Sequence, residues 1–368
     1  VLVYLKGGND AFNTFVPLDD ANYRRLRPTL AIAREQTIPF CTTHGFNLAL
    51  KPLMTAWDAK DLALIQGIGQ EDVTNQHYRD LEAQFTGASP EEYLADGWIT
   101  RALHQPRAAQ KTNPAPDKAF SAFSPQTPLQ ALAFGDLDIR QSDPFGPFRG
   151  ERIAAVNIEH PSEWLAQRDL STTPHRANAP GQHAKALRSK AVLLQTAFPA
   201  NEFGEALRAI AELAANGDAP RVVHVTLNAT SGDHHDAFDT HWDQAKYHGL
   251  ALERLAAGLA AFRAAMIEVG RWNDTMVATY DEFGRSPKEN ERHGTHHGWA
   301  STHLVMGGRV KGGLLGHAPA LTNVFSISGP KPVIDTRELY ATVIERWWGL
   351  SSANVFERRF KPLDLLRG

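Results

Sequence analysis

The chain has 368 residues, 42% of them hydrophobic and 21% charged, enough for one large α/β domain or two ordinary ones with a real core. A net charge of −3 and a pI of about 6.6 leave no electrostatic footprint for nucleic acid. No apolar run approaches the ~20 residues that a membrane-spanning helix needs.

Cys41 is the only cysteine, so a disulfide framework within the chain is excluded and any metal site must draw on His, Asp, Glu or Asn. The first residue is Val1, directly in a strand-like run, and a leader removed ahead of it is expected. Val1 to Leu5 reads as a buried strand and Lys6 to Asp10 as the turn at its end. In an open parallel sheet, ligands sit beyond the carboxyl ends of the strands, which puts Asp10 and Asn13 where chemistry is expected. Gly7-Gly8-Asn9-Asp10 is also ordinary turn chemistry.

Asn22 to Arg34 is polar, with Tyr23, Leu26 and Leu30 on one side, and should pack on the sheet edge. Lys51 to Lys60 reads as a short helix and Leu62 to Ile65 as the next strand. Gly67 to Tyr78 is then a loop entering a helix that ends near Gly87, and it carries Thr74, Asn75, Gln76 and His77. Residues 105–150 read as a surface excursion, with Gln105 to Pro128 rich in Pro, Ala, Gln and Lys and Ser142 to Gly150 a second irregular stretch. Ala184 to Phe198 and Asn201 to Asn216 are expected as successive helices.

Val222 to Leu227 is a further strand, and Asn228 to Asp243 the loop after it. Lys246 to Val269 is an amphipathic helix, with Leu252, Leu255, Leu259, Phe262, Met266 and Val269 at three- and four-residue spacing, stopped by Gly270. Thr275 to Thr279 is a strand leading to Asp281-Glu282, and His303 to Met306 another. A C-terminal helix spans Asp335 to Gly349, capped by Asp335 or Thr336. The repeated strand–helix alternation predicts one α/β domain, a doubly wound, mostly parallel sheet with helices on both faces.

Eight of the 16 histidines fall between Ser231 and His303: His234, His235, His241, His248, His293, His296, His297 and His303. Imidazole and carboxylate together suit borderline divalent metals. Asp239 and His241 are two apart, so in an extended loop both can face one ion. Glu282 sits at a strand end. His296 and His297 are adjacent and diverge in regular structure, so one can bind a metal while the other contacts substrate, a second metal or solvent. Asp10, His77, Asp239, His241, Glu282, His296 and His297 should converge on one rim. Arg285 could clamp an anionic substrate or form a salt bridge holding the Glu282 loop. No G-x-S-x-G, P-loop or GxGxxG motif organises the chain. His241-Trp242-Asp243 matches the H-x-D of non-haem iron oxygenases, but the α/β alternation argues against their usual barrel.

Several motifs carry a family resemblance over nearly the whole chain. Leu5-Lys-Gly-Gly-Asn-Asp10-Ala-Phe-Asn13-Thr-Phe-Val-Pro17, Phe238-Asp239-Thr240-His241, Glu282-Phe-Gly-Arg285, Gly294-Thr-His296-His297-Gly298-Trp299 and Met306-Gly-Gly-Arg-Val-Lys-Gly-Gly313 resemble the domain-of-unknown-function 1501 family, placed within the alkaline-phosphatase/sulfatase superfamily. The resemblance implies an alkaline-phosphatase-like sheet and one or two divalent metals at the strand ends. It also implies hydrolysis of phosphate or sulfate esters on a small molecule or saccharide. Twin-arginine export, and so a periplasmic or secreted location, goes with it. By position, Asp10, Asp239, His241, Glu282 and His297 would be ligands, with Asn13 close by.

Two departures stand out. His296 replaces the family's usual Asp, which makes it an imidazole candidate ligand and favours zinc over calcium or magnesium, with manganese, calcium and iron still open. Gln76 replaces a Ser, so a nucleophile there is gone. Thr14 or Thr74 could substitute, or water could attack directly. His77, Arg285 and Thr14 are the catalytic candidates. The alternatives are a non-catalytic relative that binds a metal or anion at the same rim, and a mononuclear non-haem iron enzyme. The oligomeric state is not legible.

Overall fold

A computed structural model describes residues 1–104, 129–135, 146–150, 153, 155–167, 176–177, 190–228, 237–322 and 329–368. In chain order the strands are β1 (Leu2–Leu5), β2 (Phe15–Pro17), β3 (Thr37–Pro39), β4 (His44–Asn47), β5 (Leu62–Gly69), β6 (Ala131–Phe134), β7 (Ala155–Ile158), β8 (Arg176–Ala177), β9 (Val222–Leu227), β10 (Met276–Tyr280), β11 (Gly284–Glu289), β12 (Thr295–Gly298), β13 (Ser301–Gly307), β14 (Gly313–Gly316) and β15 (Ile334–Asp335).

Ten of them build one sheet in the order β14-β5-β13-β10-β1-β9-β6-β7-β8, with β15 also on β5. β10, β1, β9, β6 and β7 run parallel. β13 is antiparallel to both of its neighbours, β10 and β5. Two antiparallel pairings in succession restore the common direction, so β5 ends at the same rim as β1, β9 and β10. The amino end of β13 lies at that rim too, and it is this end that the β11–β12 hairpin feeds.

Side chains alternate between the faces of a strand, and the core divides accordingly. Val3, Leu5, Leu62, Leu64, Val223 and Val225 pack on one face against the helices Glu202–Asn216 and Gln244–Glu268. Leu2, Tyr4, Ala63, Ile65 and Val222 pack on the other, with His77–Thr86, Trp98–Leu103 and Thr336–Thr342. Both faces are covered, which gives the expected doubly wound α/β fold. Leu255, Leu259 and Phe262 are essentially fully buried. Truncating any of them to Ala should cost about 2–5 kcal/mol.

The Gln244–Glu268 helix ends at Gly270, whose φ of +69° is available to glycine without strain. The C-terminal helix begins at Thr336 with Asp335 capping the Arg337 N–H, and its last turn, Val343–Trp347, is π-helical.

Three expectations change. The strand begun at Leu62 continues to Gly69. Within the expected surface excursion, Ala131–Phe134 is a fully buried strand between β9 and β7, while 105–128 and 136–145 lie outside the described residues. Residues 190–198, expected as helix, are irregular. Their N–H groups donate outward instead: Val192 to Glu212, and Gln195 and Thr196 to Glu268, tying the segment across two helices.

Candidate metal centre

Four side chains meet at the carboxyl rim of the sheet: His77, Asp239, His241 and His297. One nitrogen or oxygen from each lies within 4.8 Å of all the others. Each arrives by a different route. His77 opens the helix after β5. Asp239 and His241 lie in the loop between β9 and the Gln244–Glu268 helix, and His297 lies on β12.

Backbone bonds hold this loop to its neighbours. The Phe238 N–H donates to the Lys6 carbonyl and the Thr295 N–H to the Thr240 carbonyl. Gly7 makes the close approach possible. Its φ is +107°, and a Cβ there would sit 2.2 Å from the Asp239 nitrogen. Gly294 does the same beneath His241, where a Cβ would fall 2.1 Å from the carbonyl carbon. Any side chain at either glycine would push the Asp239–His241 loop off its neighbours.

The Oδ1 atom of Asp239 is the hub. It lies 3.0 Å from Nε2 of His241 and 3.5 Å from Nε2 of both His77 and His297. The Nε2 atoms of His241 and His297 are 3.0 Å apart. Ligands about 2 Å from a tetrahedral ion are about 3.3 Å from each other, so these separations fit one divalent cation.

The tautomers fit as well. Nδ1 of His297 is 2.7 Å from the Asn75 carbonyl, which can only accept, so Nδ1 carries the proton and Nε2 the lone pair. Nδ1 of His77 donates to Glu282 Oε1 at 2.7 Å, the carboxylate–histidine pairing typical behind a metal. Side-chain exposures of 30%, 22%, 29% and 18% for His77, Asp239, His241 and His297 leave the cluster open to solvent on one side.

The electrostatics favour a cation. Burial would raise the Asp239 carboxyl, but the imidazoles gathered round it, His241 first, and the Arg285 guanidinium hold it well below the usual carboxylate range. Burial would lower His77, but hydrogen bonds to Asp239 and Glu282 outweigh it and push the imidazole up to about 10. The two carboxylates that favour a proton on Nε2 of His77 would favour a divalent ion there equally.

Other expected site residues have different surroundings. Asp10, expected as a ligand, is fully buried and caps the helix turn after β1. It pairs with Arg27 at 2.6 Å and accepts from the Gln244 amide. Its carboxylate is thus neutralised within the protein. Gln244 in turn accepts from Thr240 and Thr295, so Asp10 braces the frame on which Asp239 and His297 are mounted.

Glu282 is one step back from the cluster. Its Oε1 accepts from His77 and from the Gly7 N–H, and its buried Oε2 has no hydrogen-bond partner among the described residues. His296 is outside this group of four: its ring centroid is 6.2 Å from that of His241, and burial and the neighbouring His241 and Arg285 lower its pKa. Adjacent residues on a strand diverge, as expected for His296 and His297.

Arg285 is no free clamp. It is 1% exposed and donates to Asp239, to the Gly7 carbonyl and to both oxygens of Thr295. Thr14 is buried, its hydroxyl donating to Asn9 Oδ1 and shared with the Asp10 carbonyl. His77, expected as a catalytic residue, lies in the cluster with Asp239, His241 and His297. Asn13 accepts from Arg27 and Tyr23. His234 and His235 lie outside the described residues. The sequence reading missed Asn75, which acts through its backbone carbonyl, an atom that every residue carries.

A search of curated proteins found none that matches. Among solved structures, the chain is similar to the lipoteichoic acid synthase LtaP from Listeria monocytogenes, at 10% identity and a TM-score of 0.43, over 96% of this chain and 72% of that one. It is similar to a protein in the alkaline phosphatase superfamily from Vibrio parahaemolyticus, at 11% and 0.40, over 94% and 65%. It is also similar to the phosphonate monoester hydrolase SpPMH from Silicibacter pomeroyi, at 13% and 0.40, over 99% and 75%. At such identities no residue role or activity is carried over. The sequence profile described as "Protein of unknown function (DUF1501)" matches residues 165–359, a span that takes in Asp239, His241, Glu282 and His297. This match covers more than half of the 368 residues, and the chain belongs to the DUF1501 family.

Proposed function

We propose that the chain is a metal-dependent hydrolase of phosphate or sulfate esters. The observation that carries this reading is the convergence of three imidazole Nε2 atoms and one carboxylate oxygen on a single solvent-open point at the strand ends. His77, Asp239, His241 and His297 would hold the ion. When bound, it would polarise an ester oxygen and make water a better nucleophile.

The chain's own residues supply the rest. Glu282 and the Asn75 carbonyl fix two imidazoles with Nε2 facing inward. Arg285 balances the charge of Asp239. A divalent ion would then leave the whole ensemble positive, which suits an anionic ester better than a neutral one. Three imidazoles and one carboxylate favour zinc over calcium or magnesium, with manganese and iron next. The family resemblance adds a small-molecule or saccharide ester as substrate and a periplasmic or secreted location.

A second reading, a metal- or anion-binding protein without catalysis, draws on one observation. The candidate hydroxyl nucleophiles are engaged, Thr14 with Asn9 and Thr74 with Asp80. Hydrolysis would therefore use water as the attacking group. Turnover of aryl phosphate and aryl sulfate esters, before and after chelation and zinc reloading, separates the readings. Chelatable turnover supports the hydrolase. Tight zinc binding with no turnover of either ester class supports the binding protein.

A further inference from the structure

The loop that supplies the Asn75 carbonyl has its own support. Asp80 lies in the first turn of the His77–Thr86 helix, yet its side chain points back out of the helix and is fully buried. Oδ1 accepts from the Thr74 N–H at 2.7 Å and the Thr74 hydroxyl at 2.9 Å, and Oδ2 accepts from the Gln76 N–H at 3.1 Å. One carboxylate thus grips both neighbours of Asn75. Gln76, at the N-cap, contributes no side-chain capping bond, so Asp80 does the capping from inside.

Asn75 is held in between with φ +60°, a conformation that asparagine tolerates better than most residues. This rotation of the backbone goes with a carbonyl aimed at Nδ1 of His297, 2.7 Å away. The next helical residue is His77, another member of the cluster.

We propose that Asp80 is a positioning residue for the metal centre, setting the Asn75 carbonyl that selects the Nδ1–H tautomer of His297 and the starting direction of His77. The inference rests on the metal-binding reading for its effect on affinity, but its effect on the tautomer is independent of any ion. A carboxylate is needed because it accepts from both sides of the loop. An amide of the same shape keeps one acceptor and turns a donor towards the N–H on the other side.

The test is Asp80→Asn in the full chain, read in two ways. In metal-free protein at pH 8, imidazole nitrogen shifts report the His297 tautomer. Wild type should show Nδ1–H, and Asp80→Asn should lose that preference. In zinc titrations against a competing chelator, Kd should rise about tenfold, the low end of what losing an outer hydrogen-bond partner costs. A residue that merely caps the helix would lower the melting temperature and leave the tautomer and zinc affinity unchanged, and that result would overturn the proposal. Should wild type bind no zinc, the metal reading fails, while the tautomer measurement still decides the role of Asp80. If Asp80→Asn does not fold, Thr74→Ala removes the hydroxyl bond and keeps the carboxylate. A threefold loss of zinc affinity with a weakened tautomer preference supports the proposal, and no change in either contradicts it.

Discussion

Nη1 of Arg285 lies 2.7 Å from Oδ1 of Asp239, the same oxygen that faces the three imidazoles. The guanidinium is fully buried while the carboxylate is partly open, so the pair anchors Asp239 from the protein side and leaves its other face to the cluster. Removing one partner of such a pair strands the other. Arg285→Met should therefore cost about 3 kcal/mol of stability, together with most of the metal affinity. Chemical denaturation and zinc titration of the variant check both.

Asp239 and His241 should behave as a unit. Asp239→Ala and His241→Ala should each cost metal affinity and any turnover, and the double variant should be little worse than either single one. A metal bound only by the folded state adds stability by mass action. The melting-temperature gap between wild type and each variant should accordingly be wide with zinc and shrink with chelator. An equal gap in both conditions would rule out the ligand role.

His296 lies outside the cluster, and His296→Ala should change zinc Kd less than threefold. A loss of tenfold or more, measured beside His297→Ala as the reference, would return His296 to the metal shell.

Asp10 gives a pH dependence with a definite sign. Burial raises its pKa, but the adjacent Arg27 prevails and the folded value lies below the usual one near 3.8. Stability from this depression is fully present above the unfolded value. It is lost as pH falls through the folded one. Melting temperature measured from pH 6 to pH 2 should drop for wild type below about pH 4. In Asp10→Asn that part of the acid limb should be missing.

The sequence made the rim legible and the partners much less so. Asp239, His241 and the His296–His297 pair could be placed at the rim because strand ends and spacing are local signals, while alternation said that the two histidines diverge and not which one faces inward. His77 could be placed at the rim, but its inward direction depends on Asp80 gripping the loop before it, a contact made only once the helix forms. Asp10 misled for the opposite reason. It follows a strand as a ligand would, but Arg27, 17 residues on, turns its carboxylate into a buried ion pair. Nothing in the composition of residues 190–198 announced that their N–H groups would be taken by Glu212 and Glu268. β6 was hidden by its flanks, a four-residue strand beside polar, proline-rich sequence.

In the proposed centre four side chains hold one divalent ion. This is tested most directly by counting zinc per chain in metal-depleted protein reloaded and dialysed, for wild type and for His77→Ala, Asp239→Ala, His241→Ala and His297→Ala. One tightly held ion is expected in wild type, and a loss of at least tenfold in affinity in each variant. Wild type that retains no zinc, or variants that retain it as well as wild type, would contradict it.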